Sequence, residues 1–469
     1  MARVSRLCLL ALALALAACA EEPEPALDAG VAPDAGRDDA GWIEWPDAGA
    51  LPDAGGPGDA GVAADAGEGD AAVVTPPVDE YWANTQWPPY ATLGPSETVP
   101  AFGQVWIPGR TEAAGAAPGL VAEVGSGPVG SDPAAGGWSW TPARFNVEAG
   151  NNDEFVADLP APASGARDFA FRYRLEGHHW KGRGEWLYAS LAGPDYQSRD
   201  AGKLAVREPG AELRVATLNL ECLRDDPTAR LQAAAARFKA LGVDAVALQE
   251  ACEDLSAQPA FTHSAEYLAG LLSSPGREFR AFFEQTHLAN DTVPEGLGLV
   301  TALPVAQISV LELPTADFPR KALTALLASP VGMVAMTSTH FSFAYDAAAT
   351  RLQQAQALAA AADAVQGRDQ PAGTVVVTAG DFNAAPTEPA IATMQAGFTD
   401  AWDTLHPGEP GLTHPASNPT RRIDYVFVRG PAGATVSLAE SLVEFGEPYT
   451  GSSHVSDHRG VSARFSIAP

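Results

Sequence analysis

Thr374-Val375-Val376-Val377-Thr378-Ala379-Gly380-Asp381-Phe382-Asn383 is the stretch on which the reading of this chain turns. A run of β-branched and small apolar residues predicts a buried strand, and Gly-Asp-Phe-Asn closes it with two polar side chains at the C-terminal end. Asp381 and Asn383 are two residues apart, so they fall on one side of an extended segment. The arrangement recurs along the chain. Arg214–Leu218 leads to Asn219, Val243–Leu248 leads to Gln249-Glu250, and Met333–Thr339 leads to His340-Phe341. Arg422-Ile423-Asp424-Tyr425 and Ser456-Asp457-His458 complete a set of six patches. One Asp or His at a strand end is usually structural. Six such patches imply a shared site, at the strand ends where open sheets place their chemistry.

Between these patches lie helical stretches. Asp226-Pro227 makes an N-cap and first-turn pair for a helix running to a stop at Gly242, and Arg351–Val365 is rich in Ala and Leu with no breaker. Alternating strands and helices over residues 211–469 predict a layered α/β domain of ordinary size. Residues 96–207 differ. Their apolar and alternating runs (103–107, 120–124, 138–140, 169–174) are separated by Gly, Pro and Asp, which predicts an all-β, immunoglobulin-like sandwich. Trp138, Trp140, Trp180 and Trp186 in this module serve either a sandwich core or a carbohydrate platform. Gly150-Asn151-Asn152-Asp153-Glu154 could offer oxygen ligands to Ca2+, with an Asx-rich turn as the plainer reading.

The N-terminal part is neither. Residues 1–19 combine Arg3 and Arg6, the apolar run Leu7–Leu16, and Leu16-Ala17-Ala18-Cys19. This describes a secretory signal ending in a lipobox-like sequence, with Cys19 the expected lipidation site and membrane anchor. An anchored chain would face the periplasm or the cell exterior. Residues 20–95 are expected to be a disordered acidic linker in which Asp-Ala-Gly recurs at 28, 34, 39, 47, 53, 59 and 65. The formal net charge is −29, and this segment carries much of it. So acidic a chain argues against a broad basic surface for tight nucleic-acid binding, yet leaves room for an enzyme that uses cations at one site. Of four cysteines, Cys8 and Cys19 belong to the leader, which leaves Cys222 and Cys252 as an even pair in an oxidising compartment. Cys222 follows Asn219 by three residues and Cys252 follows Glu250 by two, so a shared site would bring the two sulfurs together.

Taken jointly, the six patches resemble the endonuclease/exonuclease/phosphatase superfamily, the fold of deoxyribonuclease I, over residues 213–466. The resemblance implies two facing β-sheets flanked by helices and a metal-dependent phosphodiesterase, with Mg2+ or Mn2+ as the cation. Glu250, Asn219 and Asp457 are then the metal ligands. Asp381 and Asn383 orient the attacking water, His458 pairs with Asp424, His340 serves the leaving oxygen, and Arg320 contacts the substrate phosphate. The substrate is left open by these residues. Secreted DNA or RNA hydrolysis is favoured, and a sphingomyelinase-like activity on phospholipid is the alternative, with Phe341–Tyr345 as its only candidate apolar hairpin. A surface-anchored binding protein using the sandwich is a reading of another class. The protein is expected to be a monomer.

Overall fold

A computed structural model describes residues 76–468, apart from 223, 254–262 and 369–372. The leader, Cys19 and the Asp-Ala-Gly repeats lie outside the described residues. The catalytic-type domain holds two six-stranded sheets. Edge to edge, the first runs Arg280–Ala289, Val293–Thr301, Ala245–Cys252, Leu213–Asn219, Gly460–Ala468 and Thr435–Glu444. The second runs Val305–Leu313, Arg320–Ser329, Gly332–His340, Val375–Asp381, Asp424–Arg429 and Thr399–Asp400. Strands rich in Val, Ala and Leu on both faces suit sheets covered on both sides. Val215, Ala247 and Phe465 of the first sheet meet Leu323, Ala325, Leu327, Val377 and Val428 of the second in a buried layer between the sheets.

Helices cover the outer faces. Pro227–Leu241 and Ser264–Leu272 pack Phe238, Leu231 and Leu268 onto Leu218, Val246 and Leu248. Ala348–Arg368 and Pro389–Gly397 pack Leu358, Ile391 and Met394 against Val376, Tyr425 and Phe427. The first helix begins at Pro227 and stops at Gly242, whose φ of 70° suits glycine. Asp226 precedes it as expected, but in a left-handed conformation and without a side-chain cap hydrogen bond.

The all-β module starts earlier than residue 96. Strands Trp82–Trp87 and Tyr90–Leu93 belong to it, so the linker expected over 20–95 is wrong at its C-terminal end. The composition there had already changed: Tyr81, Trp82, Trp87 and Tyr90 replace the Asp-Ala-Gly repeat and give the chain something to bury. Nine strands form one continuous hydrogen-bonded sheet. Ser139–Ala149 pairs with Leu120–Pro128 over its first half and with Asn152–Pro160 over its second, and so turns the corner between two sheet halves. Phe155, Phe169, Phe171, Tyr173 and Trp180 fill the space between them.

Trp138, Trp140 and Trp186 are not in that core. They lie outside it, with the Arg172 guanidinium 4.1 Å from the Trp140 ring and 4.0 Å from the Trp186 ring. Gly150-Asn151 is the two-residue turn of a hairpin, with Gly150 at φ 69°. Its neighbour Asp153 accepts from the Ala117 N–H, so the plainer turn reading describes this stretch. Among the described residues, no set of three His, Cys, Asp or Glu close enough to share a cation includes it.

Sandwich and catalytic-type domain meet at a definite edge. The Met333 N–H donates to the Thr92 hydroxyl at 2.9 Å, the Glu208 N–H donates to the Pro330 carbonyl at 2.8 Å, and Ala205 packs with Leu326 and Met333. This is the end of the second sheet where Gly332–His340 begins.

Candidate active site

Register builds the site at the other end of those strands. His340, Asp381 and Asp424 stand side by side on three adjacent strands. His340 and Asp381 end their strands, whereas Asp424 and Arg320 open theirs. These last two strands run antiparallel to their neighbours, and the start of an antiparallel strand lies beside its neighbour's end. The expected rule of C-terminal strand ends therefore becomes a rule of one sheet edge. Gly380 is required here because a Cβ on it would sit 2.0 Å from the Thr339 carbonyl oxygen.

In the first sheet, Asn219 lies opposite Gln249, with Glu250 next along. The ladder to Val293–Thr301 shifts register between Leu248 and Ala251, and Glu250 takes a φ of 49°. Such a bulge re-aims a side chain, here into the cleft. Asn219 is fully buried, and its amide donates to Glu250 Oε1 at 2.9 Å and to Asp381 Oδ2 at 3.3 Å. One side chain thus joins both sheets. Gln249 does the same, donating to the Ser338 hydroxyl at 3.1 Å while accepting from Thr217.

Asp381 is the hub. His340 Nε2 lies 3.4 Å and His458 Nε2 3.7 Å from its Oδ2, and the Asn383 N–H donates to its Oδ1 at 2.8 Å. Burial works against its charge, but the two histidines outweigh burial and hold the carboxyl well below the usual range. His458 Nδ1 donates to Asp424 at 3.0 Å. Burial opposes charge on that imidazole too, yet the Asp424 and Asp381 carboxylates raise it to about 10. Asn383 adopts φ 47° and donates its amide to the Phe341 carbonyl, which fixes its position beside Asp381. Arg320, only 3% exposed, pairs with Asp317 at 3.0 Å.

A cleft of about 560 Å³ is lined by Glu250, Arg320, His340, Asp381, Asn383 and His458. It also takes in residues that the sequence reading passed over: His287, Glu295, His414 and Arg421. Four of the chain's nine histidines line this one cleft, but nothing local in the sequence marks His287 or His414 as two of them. Burial, then the charge of Glu250, raises Glu295 to about 7.

Of the expected ligands only Glu250 lines the cleft; Asn219 and Asp457 do not, and the Asp457 carboxylate lies 3.5 Å from Nε2 of the cleft residue His414. Among the described residues, two groups could share a cation by distance: His414, Asp457 and His458, and Asp381, Asp424 and His458. Glu250 is in neither. The first group is poorly suited to a metal as it stands. Arg421 donates to His414 Nδ1 at 2.9 Å, which leaves the ring proton on Nε2, facing Asp457.

In Phe341–Tyr345, Phe341 and Ser342 are fully buried and Arg351 donates to the Ser342 and Ala344 carbonyls, whereas Phe343 and Tyr345 are exposed at the surface of this tied loop. Cys222 and Cys252 pair as a disulfide with Cα atoms 5.7 Å apart.

The model of the Endonuclease/Exonuclease/phosphatase family matches residues 216–458, and the chain belongs to that family. Its catalytic-type domain is accordingly of the phosphoesterase class. No curated protein matches the chain. Solved structures similar to it include D. rerio TDP2 complexed with single-strand DNA product, at 19% identity and TM-score 0.43, over 54% of this chain and 99% of that one. The human Nocturnin catalytic domain with bound sulfate is 17% identical at TM-score 0.43, over 55% and 94%. The Bacteroides vulgatus endonuclease/exonuclease/phosphatase is 16% identical at TM-score 0.42, over 55% and 99%.

Proposed function

We propose that this protein is a divalent-metal-dependent nuclease that hydrolyses DNA or RNA outside the cytoplasm. The observation that carries the reading is the convergence of His340, Asp381, Asn383, Asp424 and His458 with Asn219 and Glu250 at one sheet edge. The donor set fits a hard cation. Glu250 and Glu295 bring carboxylate oxygens to one cleft, and the raised Glu295 marks negative charge that a dication would offset. Glu250, with Asn219 beside it, would hold Mg2+ or Mn2+, and Asp457, the third proposed ligand, would have to exchange its contact with His414 for the cation. When bound, the cation supplies positive charge for a phosphoryl oxygen.

The chain's own residues do the rest. Asp381, held ionised between two histidines, accepts a hydrogen bond from the attacking water and aims it. Asn383 donates toward the charge that grows on phosphorus-bound oxygen. His458 keeps its proton at neutral pH and presents Nε2–H as a cationic donor, with Asp424 fixing its orientation. His340 faces Asp381 from the other side and serves the leaving oxygen. Arg320 carries a positive charge into the same cleft. The Cys222–Cys252 bridge is the support for an oxidising compartment. A Cys19 anchor would keep the enzyme at the cell envelope.

The test uses the purified protein on plasmid DNA, single-stranded oligonucleotides, RNA and sphingomyelin in parallel. A chelator should abolish hydrolysis, and His458→Ala should lower the turnover number at least about a hundredfold. Undiminished turnover in that variant would overturn the mechanism. Cleavage of sphingomyelin with no nucleic acid touched would overturn the substrate class.

A further inference from the structure

Resting on the nuclease reading above, we infer that the cleft carries a base-stacking subsite formed by Phe343 and Phe318, which makes unpaired nucleic acid the substrate. Both rings line the cleft that holds His340 and His458. Both are also strongly exposed, Phe343 at 55% and Phe318 at 46%, although apolar rings of this size are normally buried.

They are held in place. His287 stacks on Phe318 with ring centroids 4.3 Å apart and planes 6° from parallel. Phe318 and Phe343 are 5.9 Å apart and tilted by 33°. The loops beneath them are tied by Asp317, which accepts from Arg320 and from the Ala344 N–H. The Phe318 face toward His287 is therefore taken, and the free π-surface belongs to the outer side of the pair.

Position names the occupant. The Arg320 guanidinium, paired with Asp317, lies 5.8 Å from the Phe343 ring, so the exposed ring adjoins the residue proposed to meet the substrate phosphate. Phe343 follows His340 by three residues, a span of at most about 11 Å. A phosphate at His340 would thus bring the base of an adjoining nucleotide to Phe343. Stacking on an aromatic side chain needs an open base face, which paired bases inside a duplex do not offer. An acyl chain would need a flexible apolar lip, and this loop is pinned.

The experiment is a cycle on a single-stranded oligonucleotide, with the full protein and its metal, reading kcat and KM separately. Phe343→Ala should lower kcat/KM about five- to a hundredfold, mainly through KM, and Phe343→Trp should restore it. Placing an abasic site next to the scissile phosphate should slow the natural protein by a similar factor and leave Phe343→Ala no slower than it already is. Equal kcat/KM for the natural protein and Phe343→Ala, or additive losses in the cycle, would overturn the subsite while leaving the nuclease reading intact. Loss of binding to sphingomyelin vesicles in Phe343→Ala, with oligonucleotide cleavage unchanged, would overturn it in favour of a lipid surface. No nucleic-acid hydrolysis by the natural protein would instead remove the reading on which it rests.

Discussion

Asp424 shows how one carboxylate sets the state of a neighbour. It is buried, it accepts from His458 Nδ1, and its charge is the largest influence keeping that imidazole protonated against burial. Asp424→Asn should therefore bring His458 down from about 10 toward the ordinary histidine value, followed in the metal-free protein by NMR of the imidazole protons. An unchanged titration would mean that Asp381 alone holds the proton. At this scale the sequence was informative about identity and poor about direction. Asp381, Asn383, His340 and His458 stand out from the residues before them. His414 and Glu295 do not, because what makes them cleft residues is a fold that joins segments far apart in sequence. Asp457 illustrates the reverse. Its neighbour His458 reaches the cleft, while its own carboxylate turns to His414.

Among elements, the strands were legible because Val, Ala and Leu runs bounded by polar residues can only be buried. Their order in the sheets was not, since pairing depends on crossovers that leave no local trace. Helix ends were read with mixed success: Gly242 stops its helix as expected, whereas the N-cap of Ser264–Leu272 is His263. That ring accepts the Glu266 N–H at Nδ1, a role only the neutral form can fill on that nitrogen. Burial lowers its pKa, with Glu266 opposing weakly. The folded state thus refuses a proton that the unfolded chain accepts, so this contribution to stability is full above about pH 6.5 and shrinks as pH falls toward the folded value. His263→Asn keeps a capping acceptor that does not titrate. Between pH 7.5 and 5 it should lose less melting temperature than the natural protein, and parallel losses would show that His263 is not the group responsible.

Across the whole molecule, the two sheets are joined by buried polar contacts at the same edge that holds the chemistry, through Asn219 to Asp381 and Gln249 to Ser338. The disulfide adds a covalent tie between the Asn219 and Glu250 segments, closing a separation of 30 residues. In the chain-entropy picture such a bridge contributes about 3–4 kcal/mol, so Cys222→Ser with Cys252→Ser should lower unfolding stability by that order, measured by denaturant titration. A difference below about 1 kcal/mol would show that the tie is incidental. The sandwich was foreseen in class and placed too late in the chain, because Trp82–Leu93 was assigned to the linker. Its docking edge, at Thr92 and Met333, lies where Gly332–His340 begins, and His340 closes that strand eight residues on, about 26 Å away. A molecule held by the sandwich at that edge would sit a full strand length from His340, so occupancy of one end of the sheet need not obstruct the other.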